Sequence, residues 1–180
     1  YKDIGVASVS MGGGDILPAL EKGTIDAAEW CCPKPDLVFG FQKVLKNYYL
    51  QGLHQNVVNG DVFFNKDVYN KLTEQEKYAM EIASEAMITR NITNRAVENG
   101  KALIELTSKH GVILHDTPAD YFVEYMAAAK ATIQKNSKEN KFFDEVYQHM
   151  TAHAKIVVPF IAQMETSDAS IGTAFAKAQK

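Results

Sequence analysis

Cysteine is nearly absent from this chain: there are two in 180 residues, side by side at Cys31–Cys32. Consecutive Cα atoms lie about 3.8 Å apart, closer than most disulfides span. The pair makes no C-x-x-C zinc or redox pattern, and it reads as two small buried hydrophobes. A disulfide-stapled scaffold is thereby excluded. Five prolines and 11 glycines are too few for a collagenous or low-complexity chain. No run of 18 apolar residues occurs, so no membrane-spanning helix is expected. Neither sign of charge prevails, since 19 Lys+Arg against 22 Asp+Glu leave a net charge of −3. The basic footprint of a nucleic-acid binder is missing. Tyr1–Lys2–Asp3 is neither an initiator methionine nor a secretory leader, and it reads as a processed or truncated start. No arginine precedes Arg90.

What is present is ordinary globular material, 46% hydrophobic and 23% charged, enough for one domain or two small lobes. Residues 1–65 carry short apolar runs and turn residues, whereas 66–165 carry helical periodicity. Val6–Ser10 alternates as a short strand, which Gly12–Gly13–Gly14 ends. Asp15 is placed to cap a helix over Ile16–Lys22, with Gly23 as its C′ residue. Thr24–Trp30 reads as a second strand, left at Pro33 and Pro35. The result is a βαβ-like unit. A helix over Asp36–Lys46 and strands at Tyr48–Leu50 and Asn56–Phe64 follow.

Thr73-x-x-Glu76 is a capping box opening a long helix that ends at His110–Gly111, with Gly100 inside it. Val112–His115 is a short strand. Thr117 is expected to cap the next helix, with Pro118 at its first position, running to about Asn136. A last helix spans about Lys141 to Met164, kinked at Pro159. The small polar tail from Thr166 is expected to be mobile or docked on a partner.

Several residues suggest chemistry. The glycine cluster could cradle an anion at a helix N-terminus, but it lacks the Walker spacing and lysine, and Asp15 would repel a phosphate, so a conformational turn is the better account. His149 and His153 stand four apart without a third ligand, as a solvated pair would. His54 sits in a turn between two strands, where binding residues concentrate. Asn91–Ile92–Thr93 matches a glycosylation acceptor but falls inside a helix. Glu29–Trp30 closes a strand. Its carboxylate and freed carbonyl are hard oxygen donors suited to Na⁺ or Ca²⁺, and the indole offers a rigid wall for a small organic molecule. Spacing alone also fits a surface Glu beside a core Trp.

The run Gly12–Gly13–Gly14–Asp15–Ile16–Leu17–Pro18–Ala19–Leu20–Glu21–Lys22–Gly23–Thr24–Ile25–Asp26–Ala27–Ala28–Glu29–Trp30 resembles the solute-binding proteins of tripartite ATP-independent periplasmic (TRAP) transporters. The resemblance continues through Pro33, Asp36, Gly40–Phe41, Lys46–Tyr49, Gly52, His54–Gln55 and Asn65–Leu72, and so covers residues 5–72. The Glu–Trp version is similar to the DctP-like branch that binds 2-oxo acids such as pyruvate, or lactate, together with a cation.

The resemblance implies an α/β, type II periplasmic-binding-protein-like fold. Residues 1–65 would be part of the ligand-binding lobe with a crossover strand, and 66–180 a helical C-terminal base. It implies Glu29 and the Trp30 carbonyl as cation ligands, and Gln55 beside His54 as ligand contact, where the family more usually has Glu. It implies periplasmic location, a TRAP permease as partner, and a homodimer through the C-terminal helices. The family's carboxylate-gripping arginine lies upstream of the glycine turn and has no counterpart here, so the chain is expected to be the C-terminal part of such a protein. Two rival readings are an enzyme using Glu29 and His54 as acid and base, and a helical interaction module.

Overall fold

The structure, a computed structural model, describes residues 1–52 and 61–179. The chain is mostly helical, with one small sheet among the described residues. It divides into two compact units, Ser8–Phe122 and Tyr1–Ala7 with the chain from Val123 onward.

In the first unit, helix α1 (Gly13–Glu21) starts inside the glycine cluster, with Gly12 rather than Asp15 at the N-cap. Asp15 instead lies in the first turn, where a carboxylate complements the helix dipole. The end of α1 is a Schellman motif: Gly23 has φ 67°, its N–H donates to the Leu20 carbonyl, and Thr24 N–H donates to that of Ala19. Ile16 and Leu20 of α1 pack with Phe41 into a small core, flanked by Met11, Leu17, Ile25 and Leu45. Each such burial is worth on the order of 1.5–3 kcal/mol.

The expected strands at Val6–Ser10 and Thr24–Trp30 do not form: both segments lack ladder pairing among the described residues. Alternation marks a face, but a strand exists only where another strand accepts its hydrogen bonds. Residues 61–64 are likewise unpaired, and 56–60 of that expected strand lie outside the described residues. The helix expected over Asp36–Lys46 is moved and split. Pro33 starts helix α2 (Pro33–Phe39) at N1, Gly40 ends it at φ 89°, and a 3₁₀ turn follows at Phe41–Lys43. The prolines open a helix here rather than closing a strand.

Strand β1 (Asn47–Tyr49) pairs in parallel with β2 (Ile113–His115), in the register Asn47↔Ile113 to Tyr49↔His115. Between them lie the single turn α3 (Lys66–Tyr69) and the 36-residue helix α4 (Glu74–Lys109). The capping box forms as expected: Thr73 Oγ1 accepts from Glu76 N–H, and Glu76 Oε2 accepts from Thr73 N–H at 2.8 Å. Gly100 does not interrupt α4, which ends at His110 before Gly111 with φ 65°. Lys46 ties that end to β1, its Nζ donating to the carbonyls of Gln42 (2.7 Å) and His110 (2.9 Å). Ala102 and Leu106 of α4 are buried. The amide of Lys34 in α2 donates to Asn99 Oδ1 of α4 at 2.9 Å.

Helix α5 (Ala119–Glu139) passes from the first unit into the second. The helix opens at Ala119, two residues past Thr117, whose hydroxyl donates to the Gln51 carbonyl at 2.9 Å. In the second unit, Asn140 caps α6 (Lys141–Ala178) by accepting from Phe143 N–H at 3.0 Å. This helix contains Pro159 and runs well past Met164, so the expected mobile tail is helical. The hydroxyls of Thr166, Ser170 and Thr173 donate to carbonyls four residues back, which satisfies small polar side chains without leaving the helix. His149 and His153 both lie exposed on α6.

Candidate functional site

Gly13 determines where the single tryptophan sits. A Cβ added there would lie 2.6 Å from Trp30 Cη2 and 2.8 Å from Cζ3, so the indole rests directly on the first turn of α1. Only a residue without a side chain permits that approach. The other side of Trp30 meets Phe39 at the end of α2, with ring centroids 4.5 Å apart and planes at 49°, and Phe39 stacks in turn on Phe41 of the core. Trp30 is thus wedged between a helix start and an aromatic row, yet 37% of it stays exposed. Glu29, next to it, is also exposed.

Behind this segment lies a buried polar pair. Asp36 of α2 is 8% exposed, and its Oδ2 accepts from the Tyr48 hydroxyl of β1 at 2.5 Å. Burial raises the carboxyl of Asp36, opposed by the Tyr48 bond and by the Cys31 and Cys32 amides, while the charge of Glu29 pushes it further up. The Oδ1 of Asp36 has no hydrogen-bond partner among the described residues. Tyr48 is held far above the ordinary phenol value, first by burial and then by its bond to Asp36. The pair links the Glu29–Cys32 segment to β1, so the candidate site is anchored to the sheet.

The two cysteines are not the buried hydrophobes expected. Cys31 is exposed and Cys32 half-buried, with their Sγ atoms 3.1 Å apart. Desolvation, then the Cys32 thiol, pushes Cys31 up to about 11, against a lowering influence from Arg95 of α4. Arg95 is a neighbour that sequence spacing did not bring to this segment. Its nearness comes from α4 packing on α2.

His54 and Gln55 lie outside the described residues. The chain leading to them leaves the C-terminal end of β1, the side of a parallel pair where ligand clefts form. That end is pinned by Gln51, whose Oε1 accepts from Thr117 N–H at 2.7 Å. Beside it, His115 stacks on Tyr49 at 5.1 Å and its Nε2 shares a hydrogen bond with Asn47 Oδ1 at 2.9 Å. Glu29 and Trp30 are therefore positioned by α1 and α2. Among the described residues, no group of three or more His, Cys, Asp or Glu is gathered for a metal.

Residues 1–140 match the family described as bacterial extracellular solute-binding protein, family 7, or DctP. The chain is 30% identical over 159 residues to the monocarboxylate 2-oxoacid-binding periplasmic protein of Nostoc sp. strain PCC 7120, covering 84% of this chain and 42% of that protein. It superposes with a TM-score of 0.73 and 26% identity on a TRAP transporter solute-binding protein from Bordetella bronchiseptica RB50, over 96% of this chain and 53% of that one. That crystal structure is a mixed-occupancy dimer, with copurified calcium and picolinate in one active site and the other apo. The chain spans about half the length of these relatives, or less. A solute-binding family sets aside the reading of Glu29 and His54 as an acid–base pair. The chain belongs to the DctP family of bacterial extracellular solute-binding proteins.

Proposed function

We propose that the protein carrying this chain captures a small monocarboxylate, a 2-oxo acid such as pyruvate or else lactate, in the periplasm and delivers it to a TRAP membrane permease. Residues 1–65 contribute part of the α/β ligand lobe and 66–180 the helical base. Glu29 offers its carboxylate and Trp30 its main-chain carbonyl to a Na⁺ or Ca²⁺ ion that bridges to the substrate carboxylate, since hard oxygen donors suit such ions. His54 and Gln55, in the sequence that follows β1, contact the substrate. The Gln55 amide can donate to a keto or carboxylate oxygen where a carboxylate could not. Recognition closes two lobes about a hinge and makes or breaks no bond.

The observation that carries this reading is the seating of Trp30 on Gly13, which holds the Glu29–Trp30 backbone while Glu29 as a residue and part of the indole stay exposed. The calcium-bound site of the Bordetella protein and the 2-oxoacid named for the Nostoc protein support the cation and the ligand class. In the full-length protein, Glu29→Ala is expected to abolish pyruvate binding in titration calorimetry, and chelating the divalent cation from the parent protein should mimic it if the ion is Ca²⁺. Unchanged affinity in the variant rejects the site.

A second feature supports self-association. On α6, Phe143, Met150, Val157, Met164 and Ile171 recur every seven residues, and Met150, Met164 and Ile171 are exposed. A sustained seven-residue apolar row is the pattern of a helix that packs along another. We assign this row to a homodimer contact, in keeping with the dimer of the Bordetella protein.

A further inference from the structure

Adjacent side chains on extended backbone point to opposite sides. At Cys31–Cys32 the sulfurs nonetheless lie 3.1 Å apart, although Cys32, the N-cap of α2, is extended at φ −168° and ψ 166°. That separation is too long for a disulfide bond of about 2.05 Å, and the neighbouring Cα atoms, about 3.8 Å apart, sit closer than such a bond prefers. A single atom placed between the sulfurs meets no such obstacle. With bonds of about 2.3 Å, sulfurs at this spacing subtend about 85° at the centre, well short of the tetrahedral angle of about 109° that zinc prefers.

Zinc would also need further protein donors, and no group of three or more His, Cys, Asp or Glu exists among the described residues. A three-coordinate pyramidal centre has bond angles near a right angle and brings its own third substituent. We propose that Cys31 and Cys32 form a vicinal dithiol site that chelates one trivalent, thiophilic centre of the class of arsenous acid and its monosubstituted organic derivatives. Soft thiol sulfur selects such a centre, and the exposed Cys31 gives it access. Two As–O bonds are replaced by two As–S bonds, each S–H proton leaves with an arsenic-bound hydroxyl as water, and arsenic stays trivalent. No oxidant or reductant is required.

The test uses the whole chain, reduced with a phosphine and freed of reductant, then given phenylarsine oxide. Intact mass should show one phenylarsenic per chain in place of two thiol protons. Emission of Trp30, the chain's single tryptophan, should change in step. A vicinal dithiol such as 2,3-dimercaptopropanol should strip the arsenical, whereas 2-mercaptoethanol at equal thiol concentration should not. C31S and C32S should each weaken binding by about 10²-fold or more, the loss expected when two-point attachment becomes single. Both variants should fold, because Cys31 is exposed and serine is a favoured N-cap. Equal affinity in either variant, or release by the monothiol, overturns the proposal.

Discussion

At Gly13 a missing side chain does more than relax the backbone: it supplies the floor on which an indole lies. A Cβ there would come within 2.6 Å of the Trp30 ring, closer than non-bonded carbons approach. Gly13→Ala must therefore displace Trp30 or shift α1. The expected cost is about 1–3 kcal/mol, typical of overpacking. Because Trp30 is the only tryptophan, its emission should move to the red, and chemical denaturation followed at that wavelength should report the loss. An unshifted spectrum with wild-type stability would show that the indole is not seated there. The same residues show how much of the site could be read beforehand. Glu29–Trp30 was legible because carboxylate, indole and prolines are contiguous. The Gly13–Trp30 contact joins residues 17 positions apart through the path of the chain, and no local spacing encodes it. The Asp36–Tyr48 bond and the nearness of Arg95 are hidden for the same reason.

Elements with chemical punctuation at their ends were the legible ones. Helix α4 begins at Thr73 and stops before Gly111 because a hydroxyl, a carboxylate and a positive φ each satisfy or end the backbone locally. Thr73→Ala should lower stability by about 1 kcal/mol, the usual worth of such a cap, read as an earlier denaturation midpoint. The hydrogen bonds from Thr73 hold the Glu76 carboxyl below its ordinary value of 4.5. A group depressed in the folded state stabilises above its unfolded value and loses that contribution as pH falls through the folded one. The variant keeps the Thr73 N–H, the larger cause of that depression, and loses only the hydroxyl, so the decline in stability below pH 4.5 should shrink without vanishing. Strands were less legible. Val6–Ser10 and Thr24–Trp30 alternate as a strand does, but their pairing depends on what lies alongside, which alternation leaves unstated. The helix past Thr166 was missed because small polar residues favour turns when exposed and helices when their hydroxyls bond backward.

For the whole molecule the question is what covers the apolar row of α6. Isolated helices gain little from propensity alone, and most of their stability comes from packing an apolar face. Met164, the fourth of the five residues in the row, is 51% exposed. If two chains pack there, Met164→Glu places like charges in the seam. Sedimentation velocity should then show the dimer of the parent chain become monomer. A dimer that survives the change would move the interface elsewhere.

The parallel pairing of β1 with β2 has a kinetic side. Asn47 meets Ile113 across 66 positions of sequence, with the whole of α4 between them. Closing so long a loop costs chain entropy before the ladder returns anything, whereas α4 grows by contacts four residues apart. The order of events follows: the helix forms early, and the strands that frame the ligand end of the sheet meet late. Until they do, the strand whose Tyr48 holds Asp36 is not yet pinned to β2, so the polar pair behind Glu29 and Trp30 stands on an unfinished sheet. Binding competence should emerge with the last phase of refolding rather than with the burst of helicity that precedes it.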